Sequence, residues 1–261
     1  MNDLAIATAL ADAADAISLD RFLKADLVVE TKPDLTPVSD ADRAVEQALR
    51  TILATERPDD GVLGEEFGEQ PATEGTRRWV IDPIDGTKSF VRGVPVWATL
   101  IALEETEDGE AHTTVGMVSA PALGRRWWAT RGGGAWTTFT GGAPRNLRVS
   151  KVAKLADASM SYSSLSGWKD RGGRESFLDL TDAVWRTRAY GDFWSHVLVA
   201  EGGVDFATEP ALSRWDMAAL QVVVEEAGGR FTDLTGRRGS GGGNLLASNG
   251  LLHDLALGYL T

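Results

Sequence analysis

The chain has 261 residues, 43% hydrophobic and 25% charged, enough to bury a sizeable core without covalent staples. It contains no cysteine, which excludes a disulfide framework, a thiolate zinc site and a cysteine nucleophile. The formal charge of −12 disfavours nucleic acid, which is bound by basic surfaces, whereas surplus carboxylates suit hard cations such as Mg²⁺.

Residues 1–20 carry Asp3, Asp12, Asp15 and Asp20 and no basic side chain, the opposite of a secretory signal. No apolar run approaches the length of a membrane span, so a cytoplasmic protein without membrane contact is expected. Ile6, Leu10, Ala14 and Ile17 recur at helical spacing and predict an amphipathic helix over 3–24. Two prolines within 31–39 mark a loop or a short extended arm. A second helix is predicted over 40–55, with Ala41, Val45, Leu49 and Ile52 on one face, Ser39 as N-cap and Asp42 three residues on. Residues 57–77 read as a loop interrupted by Gly64-Glu65-Glu66. Trp79-Val80-Ile81 reads as a buried strand ending at Asp82-Pro83, and a short helix opens at Gly86-Thr87 and runs through Phe90. Strands are expected over 97–104, 114–119 and 125–129, with glycines at 132–134 and 141–142 punctuating them.

After about residue 150 strand and helix alternate. Strands are predicted over 159–163, 185–190, 204–208, 231–233 and 245–248, and helices over 192–201 and 214–227, with a polar helix-like stretch between the first two strands. The glycine cluster 239–243 reads as a local turn. The fold class is therefore α/β: an α+β N-terminal half, 1–145, carrying most of the candidate ligands, and an α/β C-terminal half, 146–261.

The chemistry concentrates at 79–87. A hydrophobic strand delivers Asp82 at its end and Asp85 three residues later; two carboxylates that close repel unless a cation lies between them. The helix opening at Gly86-Thr87 turns its amides toward an anion. Asp82 and Asp85 have a plainer reading as capping acids at a turn. Taken alone, Glu65 and Glu66 read as a solvated acidic loop, Asp216 as an acid favoured by the start of its helix, and Asp42 as part of a cap. Three histidines without a His-Glu-x-x-His pattern argue against a zinc hydrolase, and there is no Walker lysine motif.

Taken together, Gly64-Glu65-Glu66, Trp79-Val80-Ile81-Asp82-Pro83-Ile84-Asp85-Gly86-Thr87, Trp215-Asp216-Met217-Ala218-Ala219 and Glu225-Glu226-Ala227-Gly228-Gly229 resemble the inositol monophosphatase family of lithium-sensitive, Mg²⁺-dependent phosphatases, in the family's order and over 32–249. The resemblance implies a layered αβαβα sandwich with the metal site between its halves, two or three Mg²⁺ per site, and a homodimer. It implies that Glu65, Asp82 and the Ile84 carbonyl hold one Mg²⁺ and that Asp82, Asp85 and Asp216 hold another. Glu65 and Thr87, the latter supported by Asp42, would activate and orient the attacking water. Asp85, Gly86 and Thr87 would contact the phosphate end of the substrate. This agrees with the general chemistry of paired metal ions in phosphoryl transfer.

Within the family, residues 161–168, 188–192, 94–99 and 209–216 are similar to the histidinol-phosphatase branch in its actinobacterial form. Histidinol carries an ammonium and an imidazole, which want carboxylate partners; inositol wants hydroxyl partners. Asp192, where inositol phosphatases place a small residue, and Glu209 are the expected partners, with Arg188 as a further substrate contact or a partner for a site carboxylate. Asp192 also reads as an N-cap. Trp97, Trp127, Trp128 and Trp194 read as pocket lining, core or dimer contact. The expected activity is hydrolysis of L-histidinol phosphate; the alternative is an inositol-1-phosphatase or a broad sugar-phosphate phosphatase.

Overall fold

A computed structural model describes residues 1–33, 35–239 and 243–260. In chain order, α1 (Asp3–Arg21) leads into the hairpin β1 (Val29–Thr31) and β2 (Pro37–Ser39), which is the extended arm, and then α2 (Asp40–Glu56). The predicted loop at 57–77 holds two strands instead, β3 (Gly61–Gly64) and β4 (Gly68–Gln70). Next come β5 (Arg77–Asp85), α3 (Thr87–Val91), β6 (Ala98–Glu107), β7 (Glu110–Ala120), β8 (Arg125–Thr130), β9 (Gly134–Phe139) and β10 (Arg145–Asn146). The remainder contributes β11 (Ser159–Ser161), α4 (Leu165–Arg171), α5 (Arg174–Ala183), β12 (Arg186–Arg188), α6 (Asp192–Glu201), β13 (Phe206–Glu209), α7 (Arg214–Glu226), β14 (Arg230–Thr232), β15 (Leu245–Ser248) and α8 (His253–Leu260). Residues 240–242 of the expected glycine turn lie outside the described residues.

An eight-stranded sheet runs β10-β9-β8-β7-β6-β5-β3-β4, antiparallel except where β3 lies parallel to β5. A five-stranded sheet runs β12-β11-β13-β15-β14, with β11 parallel to both its neighbours. Side chains alternate across the first sheet as the period of two requires. Ile81, Ile101, Leu103 and Met117 pack on α1 and α2. Val80, Leu100, Ala102 and Val118 join the cluster formed with α6 and α7. The second sheet places Ala207, Leu245 and Ala247 in that same cluster. Its other face, Met160, Phe206 and Leu246, packs against Trp168, Phe177 and Leu180 of α4 and α5 and Ala256 of α8. The layers are therefore α1/α2, sheet, α6/α7, sheet, α4/α5/α8, the expected αβαβα sandwich.

Two local features position the site. The approach of α7 to β7 is close enough that a Cβ on Gly116 would lie 2.5 Å from Val222 Cγ1 and 2.6 Å from the Ala219 carbonyl. A separate aromatic cluster of Phe22, Phe90 and Trp97, with Phe90–Trp97 centroids 5.0 Å apart, anchors the short α3 to the sheet. Burying Phe90 contributes about 2 kcal/mol to keeping α3 in place. Trp97 and Trp127 are core residues, and Trp128 and Trp194 pack at core margins.

Candidate active site

The site begins with an irregularity in β5. The strand does not stop at Pro83 but runs on to Asp85, and its register against β6 shifts between Asp82, opposite Leu100, and Asp85, opposite Ala98. Three steps on β5 thus face two on β6, a bulge made where Pro83 has no N–H to give. Residues three apart on a regular strand point to opposite faces; the extra residue turns Asp85 to the side of Asp82. The Pro83 carbonyl accepts from Thr99 Oγ1 at 2.8 Å, and the Ile84 amide donates to Asp82 Oδ1 at 3.0 Å.

Asp216 reaches the same place from the first turn of α7. One carboxylate oxygen each from Asp82, Asp85 and Asp216 lies within 4.8 Å of the others. Asp82 is fully buried and the other two are half-buried. Burial first, then repulsion from neighbouring carboxylates, led by Glu65 at Asp82 and by Asp192 at Asp85, raises both carboxyls well above the ordinary carboxylate range. Burial likewise pushes Asp216 up to about 7, against the hydrogen bond from the Ser213 amide at 2.7 Å. Carboxylates crowded at such cost lack a counter-charge, and an all-oxygen donor set fits a hard divalent cation.

Asp42 caps α2 with one carboxylate oxygen and meets Thr87 with the other. Its Oδ2 accepts from the Ser39 amide at 2.9 Å and the Ser39 hydroxyl at 2.5 Å, closing the cap of α2. Its Oδ1 accepts from Thr87 Oγ1 at 3.3 Å. Thr87 Oγ1 also lies 3.1 Å from the Ile84 carbonyl. Gly86 precedes it at φ +84°, where a Cβ would sit 3.0 Å from the Val96 carbonyl and 3.3 Å from Asp192 Oδ2. The left-handed backbone and the close approach both require glycine here.

These groups line one cavity of about 310 Å³ that takes in Glu65, Asp82, Ile84, Asp85, Gly86, Thr87, Asp216, Asp192 and Glu209. Asp192 is not the N-cap of α6; Gly191 is, and Asp192 follows it at φ +49°, a conformation uncommon outside glycine, asparagine and aspartate. Ser163 couples the two outer acids, donating to Glu209 Oε1 at 2.8 Å while accepting from the Asp192 amide at 3.0 Å. Burial pushes Glu209 up to about 8 and raises Asp192 as well, Lys88 opposing it. The Phe193 amide donates to Asp85 Oδ2 at 2.6 Å, tying α6 to the acid cluster. Arg188 is not brought to the cavity: it is exposed on β12, donating to the Thr187 carbonyl at 2.7 Å.

Sequence reading passes over four residues that the fold places here. Lys32, in the β1–β2 arm, spans Glu65 Oε1 at 2.7 Å and Glu66 Oε1 at 2.6 Å. Glu46 accepts from the amides of Glu66 at 2.7 Å and Phe67 at 3.2 Å and from Arg50 at 2.8 Å, so it shapes the turn carrying Glu65. Its signal was a charge within the apolar face of α2, between Val45 and Leu49. Ser163 gave no signal of its own. His196, buried one turn beyond Asp192, lines the cavity from a helix whose buried residues are mostly apolar.

The sequence model of the inositol monophosphatase family matches residues 2–260. The chain belongs to the inositol monophosphatase family. Two relatives called histidinol-phosphatase share 60% identity with it: one from Streptomyces coelicolor over 260 residues, covering 100% of this chain and 97% of the relative, and one from Mycobacterium tuberculosis over 256 residues, covering 98% and 96%. Among solved structures, an inositol monophosphatase from Zymomonas mobilis is 31% identical with a TM-score of 0.84, covering 99% of this chain and 97% of that one. The extragenic suppressor protein suhB from Bartonella henselae reaches a TM-score of 0.87 at 29% identity, covering 99% and 98%. Among the described residues, the acid cluster of β5 and α7 is a group that could hold a metal ion. No helix among the described residues is long and apolar enough to cross a membrane.

Proposed function

We propose that this protein is a Mg²⁺-dependent phosphomonoesterase that hydrolyses L-histidinol phosphate to L-histidinol and inorganic phosphate. The observation that carries the substrate is the second pair of acids, Asp192 and Glu209, coupled through Ser163 in the cavity that also holds Asp82, Asp85 and Asp216. One acid cluster suits the metal; a further buried pair with raised pKa values suits a substrate that brings its own positive charge. The two relatives at 60% identity support the same reading.

Asp82, Asp85 and Asp216, with Glu65 and the Ile84 carbonyl beside them, would hold two or three Mg²⁺. Bound there, Mg²⁺ supplies a Lewis acid that eases deprotonation of water and offsets charge on the phosphoryl oxygens. The chain's own residues arrange the rest. The single proton of Thr87 is committed to Asp42 Oδ1 or the Ile84 carbonyl, which leaves the Thr87 oxygen to accept from the attacking water. Asp42 keeps that direction because Ser39 fixes its other oxygen. The amide end of α3 at Gly86-Thr87 receives the phosphate. Water oxygen joins phosphorus, the bond to the alcohol oxygen breaks, and that oxygen takes up a proton as L-histidinol leaves. Asp192 and Glu209 hold the ammonium end, and Glu209 gives up its proton as that charge arrives. A homodimer in the cytoplasm belongs to the same proposal.

Phosphate release from L-histidinol phosphate, abolished by EDTA and restored by Mg²⁺, tests the reaction. Asp192→Asn tests the recognition: KM for L-histidinol phosphate is expected to rise about tenfold or more, and an unchanged KM would remove Asp192 from the substrate site.

A further inference from the structure

His196 has no part in the metal cluster, yet it lines the same cavity. It follows Asp192 by four residues on α6, and both residues line the same cavity. The residue is 1% exposed and lines the cavity, as Phe193, Leu212 and Leu220 also do. Its Nδ1 is buried and has no hydrogen-bond partner in the protein. Buried nitrogens are normally paired, and this unpaired one belongs to a ring that lines the cavity. Burial lowers the imidazole to about 4, so the ring is neutral at working pH and offers one donor and one acceptor. A lysine here would repel a cationic substrate; a neutral imidazole does not. Those apolar side chains of the lining suit a flat ring better than a polyol, whose hydroxyls they would leave without partners.

We propose that His196 is a specificity-determining residue that hydrogen-bonds the imidazole of the substrate, while Asp192 and Glu209 take its ammonium. This rests on the reading of the substrate given above. The chain thus divides recognition in three: the phosphate at Gly86-Thr87, the ammonium at the coupled acids, and the ring at the first turn of α6 beyond them.

Steady-state kinetics on two esters test it: L-histidinol phosphate and L-phenylalaninol phosphate, which has the same ammonium and phosphate but a ring without nitrogen. The His196→Leu variant should lose about tenfold more in kcat/KM on the first ester than on the second, through KM rather than kcat. His196→Asn, which keeps a donor and an acceptor, should recover part of that selectivity. Equal proportional losses on both esters, or no loss on L-histidinol phosphate, would overturn the assignment. Urea unfolding guards against a purely structural effect. Replacing a buried, unpaired nitrogen by an apolar side chain should leave stability unchanged or higher, and a marked drop would also count against the proposal. Wild-type protein that prefers inositol 1-phosphate would sink the substrate reading and this assignment with it. Wild-type preference for L-histidinol phosphate combined with an indifferent His196→Leu variant would sink the assignment alone.

Discussion

The acid cluster makes the metal-free protein sensitive to pH in a direction opposite to that of most carboxylates, and Asp216→Asn isolates the effect. In the fold, burial holds the Asp216 carboxyl at about 7, against 3.8 in its ordinary setting. Between those values the folded chain keeps a proton that the unfolded chain has lost, so stability falls as pH rises through the window. Without metal, the charge on Asp216 costs on the order of 1.5 kcal/mol at pH 5 and on the order of 4 kcal/mol at pH 8. Asparagine keeps an acceptor for the Ser213 amide, which lies 2.7 Å from Asp216 Oδ2, but carries no charge. Urea unfolding in EDTA, followed by tryptophan fluorescence at pH 5 and pH 8, should therefore find the variant more stable than the wild type, with the gap widening by about 2–3 kcal/mol at the higher pH. Titrating groups away from the cluster cancel in the difference, and relief of the repulsion that Asp216 exerts on Asp82 and Asp85 adds to the gain at high pH. Saturating Mg²⁺ should close or invert the gap, since the cation supplies the missing counter-charge to the wild type. A gap that does not change with pH, or a variant less stable than the wild type at pH 8 in EDTA, would refute the account of an uncompensated acid cluster.

Gly64→Ala should be costly although the residue touches no substrate. Its Cβ would fall 2.0 Å from Glu46 Oε1, displacing the fully buried carboxylate that holds the Glu66 and Phe67 amides. A loss of about 3 kcal/mol in urea unfolding and a raised Mg²⁺ requirement are expected; stability within about 0.5 kcal/mol of wild type would mean that Glu46 relaxes freely. Thr87→Val should lower kcat roughly 10²-fold with KM little changed. A variant that instead raised KM at full kcat would make Thr87 a binding residue rather than one that directs water.

How much of this was legible in the sequence depended on how local the cause was. The helices α2, α6 and α7 declare themselves by caps and apolar spacing, and the ends of α6 and β15 fall where the pattern puts them. The strand β3 did not, because Gly61–Gly64 is short and glycine-bounded and becomes a strand only by lying parallel to β5. The same holds for β9, whose first residue, Gly134, belongs to the glycine run that reads as a terminator. At the site, residue types in 79–87 pointed to carboxylate chemistry, but the bulge that turns Asp85 toward Asp82 is a property of pairing with β6. The contact of Asp42 with Thr87 spans 45 residues, and that of Lys32 with Glu65 spans 33; no periodicity announces either. Arg188 shows the reverse case, since a place within a suggestive segment did not bring its side chain to the cavity.

The central claim is a metal-dependent phosphatase whose outer acids select a cationic ester. The most direct measurement is kcat/KM for L-histidinol phosphate against inositol 1-phosphate, each with Mg²⁺ and with excess EDTA. The account predicts a large preference for L-histidinol phosphate that vanishes with the metal. Faster turnover of inositol 1-phosphate, or turnover of either ester that survives EDTA, would contradict it.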